Sequence, residues 1–121
     1  MARGMGMGDR ETSGRQRVAA RDALGDGEMM RVTVDRRDVA LYRIDGRLYA
    51  TDDTCTHARA SLTDGYLDGE TVECPLHQAC FHVPTGRVLA PPATEALTVY
   101  AVRVDDEGIW VGRPLRLGGA E

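Results

Sequence analysis

The sequence predicts a small all-β domain, an antiparallel β-sandwich or barrel that carries a subdomain of two irregular loops. Three observations lead there. Apolar and polar residues alternate with period two through several short runs, the pattern of half-buried strands. Turn signals such as Gly25-Asp26-Gly27, Asp45-Gly46 and Thr85-Gly86 separate those runs. No long amphipathic helix and no internal repeat interrupts them. The 121 residues suffice for one small domain and not for two.

Taken in order, residues 1–16 read as a flexible extension, with Gly4, Gly6, Gly8 and Gly14 among charges and no periodicity. The ordered domain is expected over 17–112. Arg17 to Leu24 fits either a strand or a short helix. Met30 to Val34 alternates cleanly, and Asp35 to Asp38 reads as a polar turn. Val39 to Ile44 and Leu48 to Thr51 form two further strands around Asp45-Gly46. Asp52 to Thr71 breaks the rhythm. Thr71 to Glu73 is a short strand, and another lies between Gln78 and Val88. Pro91-Pro92 cannot sit in a central strand and marks a rigid loop. Leu97 to Val104 and Ile109 to Val111 close a last hairpin over Asp105 to Gly108. Residues 113–121 read as a frayed tail.

Composition excludes several classes of function. The net charge is −4, with 15 Arg, no Lys and no Asn. A nucleic-acid binder should show a basic excess or stripe, and none is present. No apolar run approaches the roughly 18–20 residues of a membrane span. The start has no apolar h-region, so a cytoplasmic address is expected. Cys55, Cys74 and Cys80 are an odd set, which does not favour a disulfide scaffold.

The chemistry concentrates between positions 55 and 82, where all three Cys and all three His fall. One irregular loop, near 55–60, contains Cys55-Thr56-His57. The other, near 74–82, contains Cys74-Pro75-Leu76-His77. Two thiolates and two imidazoles suit zinc or an iron–sulfur cluster. Zinc fingers usually pair Cys with Cys and His with His, whereas each loop here offers one of each. One residue between Cys55 and His57 is tight for two ligands on one small ion. It is easier if the ligands reach different metal atoms, as the two irons of a [2Fe–2S] rhombus allow.

The spacing C-x-H…C-P-x-H resembles the Rieske motif. The runs Cys55-Thr56-His57-Ala58, Cys74 to Gly86 and Leu89 to Thr94 resemble small Rieske-type ferredoxins, in particular the ferredoxin component of aromatic-ring hydroxylating dioxygenase systems. The resemblance covers roughly Arg17 to Val111. It implies one [2Fe–2S] cluster per chain, with Cys55 and Cys74 on one iron and His57 and His77 on the other. Exchanging two thiolates for neutral imidazoles raises the potential from about −400 mV to between about −150 and +300 mV.

Within that range, the resemblance points low. High-potential Rieske proteins of respiratory complexes carry a disulfide between the loops, and a Ser and a Tyr whose hydroxyls bond cluster sulfurs. The aligned positions are Ala60 and Leu76 for the disulfide, Ala79 for Ser and Phe81 for Tyr, so all of these features are absent. That family also has a membrane anchor, which is not expected here. The residue after the second His is commonly Gly, where φ > 0 is accessible; here it is Gln78.

Several residues near the site have plain readings. Cys80 is expected as a small buried hydrophobe, His82 as a surface or strand-edge residue, and Phe81 and Leu76 as shields against water. Asp52, Asp53, Asp64, Asp68, Glu70 and Glu73 either present a negative face to a basic partner or are solvated loop surface.

The expected function is one-electron transfer by a non-enzymatic component, a monomer. It relays electrons from an NAD(P)H-dependent flavin reductase to a terminal oxygenase through transient contacts at the His57 and His77 edges. Alternatives are the small Rieske-like subunit of an assimilatory nitrite reductase, or a zinc-stabilised interaction module. A stand-alone oxygenase is disfavoured, because a mononuclear iron needs a 2-His-1-carboxylate triad and only His82 remains.

Overall fold

The computed structural model describes residues 15–120. Of the extension expected over 1–16, residues 1–14 lie outside the described residues, and Gln16 already belongs to the first strand. Six strands form the main sheet: β1 (Gln16–Ala19), β2 (Met29–Val34), β3 (Arg37–Ile44), β4 (Arg47–Asp52), β10 (Val99–Asp105) and β11 (Gly108–Arg116). Their order is β1-β11-β10-β4-β3-β2, and every pairing is antiparallel. The Gln16 amide reaches the Thr33 carbonyl at 3.4 Å, so β1 returns beside β2 and the sheet nearly closes into a barrel. The segment Arg17 to Leu24, ambiguous in the sequence, divides into β1 and a run of turns.

Two hairpins explain the register. Asp35 and Arg36 connect β2 to β3 with φ of 50° and 68°, and Asp45 and Gly46 connect β3 to β4 with φ of 50° and 81°. Two left-handed central residues match the right-handed twist of the flanking strands. The first turn is therefore tighter than the four-residue turn expected, and Arg37 and Asp38 already belong to β3.

β3 does not alternate. Val39, Ala40, Leu41 and Tyr42 are all buried, because the strand is a wall between two cores. Val39 and Leu41 face one core with Val32, Ala50, Ile109 and Val111. Ala40, Tyr42 and Ile44 face the other, with Leu62, Val72, Phe81 and both Cys55 and Cys74. The second core ties the loop subdomain to the barrel. Each fully buried large apolar side chain contributes about 1.5–3 kcal/mol. Tyr42 brings a polar atom into this wall, and its hydroxyl is paired with Thr51 Oγ1 at 2.8 Å.

The subdomain is inserted between β4 and β10. A 3-10 turn (Leu62–Asp64) precedes a small antiparallel sheet of β5 (Tyr66–Asp68), β6 (Thr71–Glu73), β7 (Cys80–His82) and β8 (Val88–Ala90). β5 and β8 were not legible as strands, being three residues long and without a clear alternation.

The C-terminal segment also differs from expectation. β11 runs to Arg116, and β12 (Gly119–Ala120) pairs with β9 (Glu95–Ala96). The segment expected to fray from residue 113 is thus paired along most of its length, although Leu115 and Leu117 are exposed. Backbone pairing holds it, with no apolar burial to announce it in the sequence. No helix among the described residues is long and apolar enough to cross a membrane.

Candidate iron–sulfur site

Each of the two loops is closed by the same backbone bond. The Cys55 N–H donates to the Ala60 carbonyl at 2.9 Å, and the Cys74 N–H to the Ala79 carbonyl at 2.8 Å. Both span five residues, so each loop turns back on its own cysteine. The interiors differ. In the second loop His77 and Gln78 take φ of 64° and 63°, two consecutive left-handed residues. In the first, side chains do the folding. Asp53 accepts the Ser61 hydroxyl at 2.5 Å and the Thr63 N–H at 3.0 Å, and its own carbonyl accepts the Leu62 N–H at 2.7 Å.

Close packing positions the second loop. A Cβ on Gly65 would lie 2.0 Å from the Glu73 carbonyl oxygen and 3.1 Å from Pro75 Cδ. Only glycine lets the chain pass so near the residue preceding Cys74. The first loop is tied to the C-terminal side by Thr56, whose hydroxyl donates to the Glu95 carbonyl at 2.7 Å. Glu95 in turn pairs with Ala120.

These supports bring three of the four candidate ligands into one group and leave the fourth, His77, against His57 alone. One donor atom each from Cys55, His57 and Cys74 lie within 4.8 Å of one another. Cys55 Sγ is 2.8 Å from His57 Nδ1, and His57 Nε2 is 3.3 Å from His77 Nδ1. The imidazole centroids are 5.5 Å apart. The burial is graded: Cys55 is 3% and Cys74 0% exposed, His57 is half-buried and His77 is exposed.

The electrostatics fit a metal centre. Burial pushes the Cys74 thiol up to about 11, and the neighbouring Cys55 thiol pushes the same way, while the Leu76 N–H on Cys74 Sγ at 3.4 Å acts against them. Two bare thiolates side by side in this core are unfavourable, and bound cations relieve that repulsion. The donor set of two buried sulfurs and two more accessible ring nitrogens fits a [2Fe–2S] cluster with mixed ligation.

The neighbouring residues divide. Ala79 and Phe81 are fully buried in the core that holds the cysteines, whereas Leu76 is 47% exposed. Cys80, on β7, is half-buried, and burial raises its thiol. His82 is also half-buried, with Nδ1 2.8 Å from Thr85 Oγ1 and Nε2 3.0 Å from Glu70 Oε1. Of the six acids flanking the site, Asp64, Asp68 and Glu70 are exposed. Asp53 is 1% exposed, so it belongs neither to a docking face nor to a solvated loop. Asp52 accepts the Tyr100 hydroxyl at 2.5 Å, which in turn receives the Arg37 guanidinium at 2.9 Å. Asp53 and Thr56 were not separable by sequence reasoning from other loop acids and hydroxyls.

Comparison with known proteins agrees with this geometry. The family model of the Rieske [2Fe-2S] domain matches residues 14–101. The ferredoxin component of the naphthalene 1,2-dioxygenase system of Pseudomonas putida is 45% identical over 89 residues, covering 74% of this chain and 85% of that protein. The ferredoxin of carbazole 1,9a-dioxygenase from Nocardioides aromaticivorans IC177 superposes with a TM-score of 0.79 at 36% identity, covering 84% of this chain and 99% of the other. A chain in the complex of reduced oxygenase and oxidized ferredoxin in carbazole 1,9a-dioxygenase gives a TM-score of 0.77 at 39% identity, with 83% and 94% covered. With a C-x-H and a C-P-x-H loop folded onto one another and most of its length matched, this chain belongs to the Rieske [2Fe-2S] domain family.

Proposed function

We propose that this protein is a cytoplasmic one-electron carrier, taking electrons from an NAD(P)H-dependent flavin reductase and delivering them to a terminal ring-hydroxylating oxygenase. Cys55 and Cys74 hold one iron of the cluster, and His57 and His77 the other. The observation that carries the reading is the gradient of burial across these four residues, from enclosed thiols to an exposed His77. A bound [2Fe–2S] cluster supplies a site for one reversible electron.

The chain's own residues do the rest. Phe81, Ala79 and Val72 keep water from the sulfur side. His57 and His77 form the side a partner can approach. The Leu76 amide places a donor on Cys74 Sγ. Contacts with each partner are small and short-lived, as redox encounters require. The ferredoxin identity of the relatives named above supports the role, and the oxygenase complex of one of them supports the class of acceptor.

A potentiometric titration followed by EPR on the purified protein tests the reading. A mixed Cys/His [2Fe–2S] signal with a potential of about −150 mV is expected. Stoichiometric zinc and no such signal in anaerobically prepared protein overturns it.

A further inference from the structure

We propose that Asp53 is a positioning residue for the cluster-binding site: its buried carboxylate locks the first loop, so that Cys55 and His57 are presented in one fixed geometry. This inference rests on Cys55 and His57 being ligands, as proposed above.

The grip is on both ends of the loop. Upstream, the Asp53 N–H donates to the Asp38 carbonyl at 3.0 Å, which fixes it to the barrel wall. Downstream, Oδ2 takes the Ser61 hydroxyl at 2.5 Å and Oδ1 takes the Thr63 N–H at 3.0 Å. The Leu62 N–H binds the Asp53 carbonyl at 2.7 Å, and Thr54 bridges Ser61. Residues 55–60 therefore leave and re-enter the fold at one carboxylate. Ser61 Oγ also lies 2.8 Å from Thr63 Oγ1, and the Arg31 guanidinium reaches Ser61 Oγ at 3.5 Å.

Cost and contrast point the same way. A carboxylate that is 1% exposed is expensive to keep out of water, and none of the ion pairs among the described residues includes it. Its two oxygens are satisfied instead by neutral donors from the return of the loop. The second loop uses another device, the left-handed pair His77 and Gln78, which no residue from 53 to 63 matches among non-glycine positions. With no left-handed pair to turn it, the first loop adds this side chain to the backbone bonds that close it.

Two variants of the full-length holoprotein separate the brace from the charge. In Asp53→Asn the amide oxygen can accept the Thr63 N–H, and the NH2 can donate to Ser61 Oγ, whose proton turns to Thr63 Oγ1. In Asp53→Ala both donors are stranded. The readouts are cluster release to an iron chelator, the EPR line shape of the reduced protein, and amide exchange of Leu62 and Thr63 in the apoprotein.

For Asp53→Ala, release is expected to quicken about tenfold, the equivalent of about 1.4 kcal/mol. The g-values should broaden and both amides should exchange faster. Asp53→Asn is expected to stay within about twofold of the unmodified protein, less than about 0.5 kcal/mol. If Asp53→Ala does not accumulate as folded protein, Ser61→Ala gives the same readouts with one donor removed.

Unchanged release and exchange in Asp53→Ala overturns the proposal, as does an Asp53→Asn variant as damaged as Asp53→Ala. Absence of a mixed Cys/His signal from the unmodified protein overturns the ligand assignment instead. Apoprotein exchange still decides whether the brace exists.

Discussion

The Cys74 N–H and the Ala79 carbonyl are joined at 2.8 Å across a loop whose two central residues, His77 and Gln78, are both left-handed. The bond and the strain belong together. In this loop the left-handed pair makes the reversal that brings the chain back to its own cysteine, whereas the first loop closes the same bond without one. A side chain in this region costs on the order of 1–2 kcal/mol.

Gln78→Gly should therefore stabilise the protein. At φ 63° a glycine carries no Cβ penalty. A gain of about 1 kcal/mol is expected, and with it a rise in the thermal midpoint of about 4 °C or more. Denaturant and thermal melts of the two proteins under identical cluster loading measure the two quantities. A loss of stability would show that the Gln78 side chain makes a contribution larger than the strain.

His77→Cys should lower the reduction potential, provided a cluster assembles. His77 is the most exposed of the four candidate ligands. Replacing a neutral imidazole with a thiolate adds a negative charge that opposes reduction, moving the potential toward the all-cysteine value of about −400 mV. An EPR-monitored titration gives the answer, and a raised potential would refute the electrostatic account.

Ala79→Ser should move the potential upward. Ala79 is fully buried in the core that contains both Cys55 and Cys74, and its carbonyl already receives the Cys74 N–H. A hydroxyl at this position adds a donor toward sulfur, which favours the reduced form. The same titration checks it, and an unchanged potential would mean the hydroxyl turns to a backbone acceptor.

Acidification should perturb the β10–β11 hairpin at unusually low pH. The Trp110 indole N–H, at 3.1 Å, is the main reason the Asp105 carboxyl sits below its ordinary value, with the Glu107 and Gly108 N–H groups adding to it. A depressed value in the folded state means the contribution is present above the unfolded value of about 3.9 and is lost as pH falls through the folded one. Trp110 is the sole tryptophan. Its fluorescence should titrate below about pH 3.9, and Asp105→Asn should abolish the step.

Much of the fold was legible from local chemistry. Met30 to Val34 alternates because one side faces a core and the other faces water, and Asp45-Gly46 is a turn in any context. β3 was legible as a strand but not as a wall, since its unbroken apolar run from Val39 to Tyr42 acquires meaning only when two cores are present. β12 was illegible because backbone bonds to β9 hold it, and these leave no trace in side-chain pattern.

By itself, the sequence determined the class of the protein and the chemistry it offers: an all-β chain with two loops, each bearing one thiol and one imidazole. Ligand types at short spacing are local facts, and so are tight turns. Only the tertiary structure decided which thiols are enclosed, which imidazole faces outward, and that the Asp53 carboxylate ties down the return of the first loop while a left-handed pair turns the second. Burial and hydrogen-bond partnership depend on residues far apart in the chain, such as Thr56 with Glu95 or Gly65 with Glu73, and no local pattern encodes those meetings.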